Sequence, residues 1–409
     1  MQPILKSCCG LDVHKSMIKA CIAKGPLDKP PKFEIRTFST MTSDLIKLKD
    51  WLVKNEVEAV AMESTGVYWK PIFNILEDCF DIVLANPQYL KKVPGKKSDV
   101  KDCQWIATLL RNGLIPKSFI PPREIRELRD LNRTRRKHIE TMASEKNRLQ
   151  NVLEDANIKL GSVVSKIDGK SSMRMIQSLL EKDDLSREEI SEMARGKLKS
   201  KVPQLVEALK GRVTEHHRFL LRFHLDNIAF QLEQIQKLDE EIQRRMVPFQ
   251  KENCLIQTLP GISKTSVAAI IAEIGTDMSQ FPDEAHLSSW AGMCPGNNES
   301  AGVKKSGKVR KGNGFLKGIL TEVAWAASRT KGSAYSAIYN GIAKRRGKKR
   351  ALIALGHRIL CDIYRVLTTG EAYVDEGAEA VFKRNSKARE GAMIRSLERS
   401  GYTITKVTA

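Results

Sequence analysis

The stretch CCGLDVHKSMIKACIA, Cys8 to Ala23, reads as a strand, a tight turn at His14-Lys15-Ser16 and a second strand. Phe33 to Phe38 makes a third strand. Thr42 to Lys54 is an amphipathic helix through Leu45, Leu48, Trp51 and Leu52. Val57 to Met62 is a buried type of strand running into Glu63-Ser64-Thr65-Gly66. Tyr68 to Leu76 fits a helix and Asp81 to Ala85 a strand. A further helix is expected over 98–110, with Ser98 as its N-cap and Val100, Ile106, Leu109 and Leu110 on its apolar side. The order βββαβαβα predicts an open α/β sheet.

Such sheets gather their strand ends at one edge, where sites are built. Asp12 lies in the first strand and Glu63 at the carboxyl end of the fourth. Asp99 and Asp102 stand three apart, so both leave the first helical turn from one face. Like charges that close repel unless a cation sits between them. Lys96, Lys97 and Lys101 offer one source, a divalent metal another. The helix dipole favours acids in a first turn in any case, so plain decoration and four unrelated surface acids remain open readings. If the four converge, hard oxygen ligands suit Mg²⁺ or Mn²⁺. Two such ions about 3.5–4 Å apart stabilise the attacking and leaving oxygens of a phosphodiester.

Charge narrows the partner. Among 409 residues, 69 are Lys or Arg and 48 are Asp or Glu, a net +21. That excess points to a polyanion, nucleic acid ahead of anionic membrane. No long apolar run opens the chain and no stretch of about 18 apolar residues interrupts it, so neither a signal peptide nor a membrane span is expected. The eight cysteines form no C-x-x-C pair and no Cys/His spacing that suits zinc. They read as core thiols of a protein in a reducing cytoplasm.

From Arg123 to Leu160 there is no Gly or Pro, and Leu128, Leu131, Ile139, Met142, Leu149 and Leu153 roughly follow helical spacing. Arg133, Arg135, Arg136, Lys146 and Arg148 crowd this helix as candidate phosphate contacts. A second long helix, about His216 to Met246, carries Leu225, Ile228, Leu232, Ile235, Leu238 and Ile242, close to a heptad seam. An intramolecular hairpin and a coiled coil between protomers both satisfy that pattern. Residues 161–210 read as a small helical insertion.

Leu255 to Gly275 resembles a helix-hairpin-helix, whose turn amides can hold a phosphate or merely pack. The loop Gly292 to Gly302 follows, with Ser300 near its end. Between Val303 and Arg350 there are fourteen Lys or Arg against the single acid Glu322. Apolar helices interleave this run, so it is expected to fold with a basic face. Lys304, Lys305, Lys308, Arg310 and Lys311 are its candidate backbone-phosphate contacts. The expected layout is 1–120, a helical region 121–250, a mainly α domain 251–375 and a polar, fraying tail 376–409.

GLDVHK (10–15), MESTGVYW (62–69), NPQYLKKVPGKKSDVKDCQWIA (86–107) and PGNNESAG (295–302) together resemble the DEDD transposases of bacterial insertion sequences, the insertion-sequence one-ten family, in its eleven-eleven branch. The resemblance implies a RuvC-like, RNase H-like fold for the N-terminal domain, and Mg²⁺ held by Asp12, Glu63, Asp99 and Asp102. It implies that Ser300, otherwise a turn former in a Gly/Asn loop, is a nucleophile forming a covalent serine–DNA intermediate. It also implies DNA recombination guided by a bridge RNA, a homo-oligomer (dimer or tetramer) and a cytoplasmic, nucleoid-associated protein. A RuvC-like junction-resolving endonuclease that uses water is the alternative, and a non-catalytic nucleic-acid binder the third reading.

Overall fold

A computed structural model describes residues 3–64, 66–90, 102–295, 298–300, 303–306, 309 and 311–404, with backbone alone at 88–89, 298–300 and 303–306. The chain divides into two compact units, Met1–Ile120 and Pro121–Ala409.

The first unit is built on strands β1 (Ser7–Val13), β2 (Met17–Lys24), β3 (Lys32–Ser39), β4 (Ala59–Glu63) and β5 (Asp81–Ala85). Helices α1 (Thr42–Lys54), α2 (Trp69–Leu76), the single turn α3 (Pro87–Leu90) and α4 (Asp102–Arg111) accompany them. The sheet order is β3-β2-β1-β4-β5. β1, β2 and β3 run antiparallel, whereas β4 and β5 are parallel to β1. β1 is buried along most of its length because helices cover both faces, which removes the usual alternation.

The two faces differ in residue size. Leu11, Ile18, Ile22, Val60 and Met62 meet Leu48, Leu52 and Ile72 of α1 and α2. The opposite face is lined by Cys8, Cys21, Ala23, Ala59, Ala61 and Ala85, and α4 lies on it through Cys103, Ile106, Ala107 and Leu110. Gly10 is the narrowest point. A Cβ built there would stand 2.3 Å from the Cys103 carbonyl oxygen and 2.4 Å from the Ala107 nitrogen. Small residues thus let the helix axis sit close to the strands. Arg111 anchors the far end of α4, donating to the carbonyls of Leu5, Gly25 and Pro26.

The second unit opens with α5 (Arg123–Asp155). A cap of short helices follows: α6 (Leu160–Val163), α7 (Lys170–Ser178), α8 (Arg187–Met193) and α9 (Val202–Ala208). α10 (Glu215–Met246) then returns along α5. Glu127 pairs with Arg245, Arg135 with Asp239, His138 with Gln231 and Glu145 with His224, so the two helices are antiparallel. The buried seam steps by sevens through Leu221, Ile228, Ile235 and Ile242. Leu232, expected in that seam, is 52% exposed. Gln231 and Asp239 instead face α5, pairing with His138 and Arg135. The cap has its own core, in which Met175, Ile176, Ile190 and Leu205 meet Leu149, Leu153, Leu221 and Leu225 of the long helices.

Next come α11 (Gln250–Gln257), α12 (Lys264–Ile274) and α13 (Glu284–Trp290), then the hairpin β6 (Asn298–Ser300) and β7 (Val303–Ser306). Helices α14 (Gly314–Ala327), α15 (Ala334–Arg346), α16 (Lys348–Thr369) and α17 (Gly377–Arg399) complete the unit. The α11–α12 turn packs: a Cβ at Gly261 (φ 85°) would lie 2.5 Å from the Ala327 nitrogen of α14. The expected fraying tail is instead the 23-residue helix α17. Its first turn is anchored by Val381, buried against Ala334 and Ala337, and by an Ala378 amide donating to the Gly332 carbonyl. Among the described residues no helix is long and apolar enough to cross a membrane.

Candidate functional site

β1 and β4 are parallel neighbours, paired up to Leu11 and Met62. Asp12 and Glu63 are the next residues of each strand, so both carboxylates leave the same sheet edge. α4 begins at Asp102, one residue before the Cys103 carbonyl that lies against Gly10. The close helix–strand contact two residues before Asp12 therefore delivers Asp102 to that edge as well. Asp12 accepts a hydrogen bond from His14 Nε2 at 3.2 Å, with side chains 23% and 55% exposed respectively. Glu63 is half-buried and Asp102 exposed. Lys19 stands opposite Asp12 in the β1–β2 register. Asp99 and the Ser98 cap lie outside the described residues. The donors present are carboxylate oxygens, the type a hard divalent cation takes. Among the described residues they do not by themselves close into a group of three ligands.

Ser300 was expected in a loop; the structure places it at the end of a strand. β6 and β7 pair antiparallel with Ser300 opposite Val303 and residues 301–302 between them, and a register shift falls at Asn298/Glu299. Pro295 and Val309 form a bridge farther down. The base is pinched by two glycines, since a Cβ at Gly312 would lie 2.4 Å from the Gly292 nitrogen. Met293, 2% exposed, roots the outgoing strand beside Gly356 of α16. Ser300 is thus carried on a narrow-necked hairpin rooted in the helical core.

Beside this neck lies Glu273 of α12, 2% exposed, which the sequence reading did not single out. Arg133 grips it with two bonds of 2.8 and 2.9 Å, and Asn313 donates to it at 2.6 Å. Arg129 donates to the carbonyls of Ala272 and Glu273. Asn313 is also the N-cap of α14, accepting from the Phe315 and Leu316 amides. Glu273 therefore ties α5, α12 and the residue after Gly312 together. A lone acid inside the apolar run SVAAIIAEIG was the available signal.

The basic candidates on α5 are all engaged. Arg133, Arg135, Arg136, Lys146 and Arg148 have carboxylate partners Glu273, Asp239, Glu322, Asp168 and Glu145 at 2.5 to 2.8 Å. A phosphate at any of them must compete with an acid already in place. Lys304 and Lys305 lie on β7, Lys308 and Arg310 lie outside the described residues, and Lys311 is exposed.

Five of the eight cysteines are buried: Cys8, Cys9, Cys21, Cys103 and Cys361. Burial pushes the Cys8 thiol up to about 12 and holds Cys9 well above its ordinary value. Cys79 and Cys254 are exposed, a departure from the core reading.

Residues 9–158 match a DEDD transposase model of the IS110 type, and residues 253–340 match the transposase IS116/IS110/IS902 family. The protein named "Putative transposase y4qE" of Sinorhizobium fredii is 21% identical over 251 residues, covering 60% of this chain. The match covers 52% of that relative, so the chain spans about half of its length. The two family matches together occupy more than half of the sequence. The chain belongs to the IS110 family of transposases. Its DEDD domain implies a divalent cation in general.

Proposed function

We propose that the protein is a DNA transposase that excises and inserts an insertion-sequence element by strand exchange. The observation that carries this reading is the sheet edge where Asp12 and Glu63 end neighbouring parallel strands and α4, pressed onto Gly10, brings Asp102. Three antiparallel strands followed by two parallel ones support an RNase H-like, RuvC-like identity for this unit. Asp12, Glu63, Asp99 and Asp102 are the residues that would hold Mg²⁺ or Mn²⁺. When bound, the cation supplies charge stabilisation to the phosphodiester oxygens.

Ser300 is the proposed nucleophile. Its Oγ bonds to the phosphorus as one P–O bond of the DNA strand breaks, and the proton lost by Oγ ends on the released DNA oxygen. The exchange trades one phosphoester for another of similar energy, so the reverse step rejoins DNA without ATP. The hairpin neck holds the serine on a rigid base, which favours a fixed attack geometry. Net charge +21 supports contact with polyanions. The family resemblance supports a bridge RNA that pairs with donor and target, and a dimer or tetramer. Phe219, Phe223 and Phe230, exposed along one side of α10, are apolar surface that a second copy would cover.

The test is incubation with element-end DNA and Mg²⁺, followed by a denaturing gel. A covalent protein–DNA adduct is expected with the wild type and absent with Ser300→Ala. Asp12→Ala and Asp102→Ala should abolish strand cleavage. Undiminished cleavage by Ser300→Ala, with no adduct in the wild type, would establish the water-using nuclease instead.

A further inference from the structure

We propose that the corner where α15 meets α16 is a binding site for the phosphate backbone of duplex DNA, the choice of polyanion resting on the transposase reading above. Lys344, Arg345 and Arg346 end α15, and Lys348, Lys349 and Arg350 open α16. Only Gly347 (φ 83°) separates them. All six side chains are exposed. Among the described residues none of the six is in an ion pair, in contrast to the five α5 cations, each of which has its acid.

Position on the helices separates a folding role from a binding role. Cations in the last turn of α15 complement the negative end of its dipole, so the fold itself accounts for Lys344, Arg345 and Arg346. The first turn of α16 has the opposite polarity. It holds no acid, its cap residue is Gly347, and no side chain accepts from its amides. Lys348, Lys349 and Arg350 add three positive charges to the positive end of a 22-residue helix. The free fold loses stability from that arrangement, whereas a bound anion gains from the side chains and the open amides together.

The site is rigid. α16 is rooted in the core through Ala351, Leu355, Ile359, Leu360 and Ile363. It is also chemically plain, with no aromatic residue and no Asn or Gln between 344 and 350. Aromatic stacking platforms for unpaired bases are therefore missing from this segment. What it offers is charge at a fixed place, the kind of contact that sets position along a duplex without reading sequence.

The experiment uses the full chain with a fluorescent random-sequence DNA duplex and, separately, a fluorescent single-stranded RNA, with affinity measured across a salt series and thermal unfolding in parallel. For the triple variant K348Q/K349Q/R350Q, weaker binding and a log-affinity against log-salt slope smaller by about 2 to 3 are expected. Its unfolding midpoint should equal or exceed the wild type's, because the strain at the helix start is relieved. Lys237→Gln, which removes an exposed cation paired with Glu233, should leave the slope unchanged. An unaltered slope in the triple variant, with the wild type binding duplex normally, overturns the site and leaves the transposase reading standing. A lowered midpoint accompanying lost binding assigns the three cations to the fold and also overturns it. A loss confined to single-stranded RNA overturns the assignment to duplex DNA. A wild type that binds no duplex at all fails both readings.

Discussion

Gly10→Ala is the most direct perturbation of the acidic edge that leaves every acid in place. The added methyl would sit 2.3 Å from the Cys103 oxygen and 2.4 Å from the Ala107 nitrogen, where ordinary contacts begin at 3.4 Å. Both neighbours are backbone of one helix, so no side-chain rotation relieves the clash. α4 must move outward by about 1 Å along its whole length, against the anchor at Arg111. Overpacking a tight core costs about 1–3 kcal/mol, and contact with rigid backbone places this variant at about 3 kcal/mol. For a unit of this size that lowers the unfolding midpoint by roughly 10 °C. The shift carries Asp102 with the helix, and a displacement of about 1 Å at a reacting centre can cost 10²-fold in rate. Calorimetry of the full chain, with DNA cleavage assayed well below the new midpoint, reads both effects. A midpoint within about 1 °C of the wild type would refute the reasoning, because it would mean that α4 does not press on β1.

Glu273→Ala strands the Arg133 guanidinium and leaves Asn313 short of an acceptor, and should destabilise the second unit by about 3 kcal/mol in denaturant titration. Glu273→Gln, which keeps an acceptor for Asn313, should cost less. Brief maleimide labelling of the native chain should modify Cys79 and Cys254 and spare Cys8, Cys9 and Cys21 until denaturant is added, as mass spectrometry would read. Burial lowers the pKa of His357 below its ordinary 6.5. The unfolded chain then binds the extra proton first, so stability contributed by the neutral ring falls as pH drops below about 6.5. Between pH 7.5 and 5.5 the thermal midpoint of the wild type should therefore fall relative to that of His357→Leu.

The local elements of the first unit were legible. α1 and β5 fall where Leu45, Leu48, Trp51 and Leu52, and the run DIVLA, place them. Their signals are complete within one turn or one strand. The seam of α10 is legible only in part, because Leu232 obeys the period yet is 52% exposed, while Gln231 and Asp239 supply polar contacts to α5. The hairpin bearing Ser300 is not legible as strands, since Asn, Gly and Ser mark turns and its strands carry no apolar alternation. Arg133 and Arg136 looked free because their acids are remote in sequence, Glu273 at 140 residues and Glu322 at 186, whereas Arg148 pairs with Glu145 only three residues back on the same helix. Tertiary pairing at that range leaves no periodic trace. The last helix was missed because its anchor is a single apolar residue, Val381.

The α5–α10 hairpin has a consequence for how such chains can vary. A 32-residue helix is about 48 Å long, and the small helices at its far end close a core of their own. The family matches stop at residue 158 and resume at 253, leaving out that distal bundle and the returning arm. An insertion or deletion there alters how far the arm extends while the Glu273 junction at its root stays intact. The length of the arm and the junction at its root are thereby set by separate stretches of the same chain.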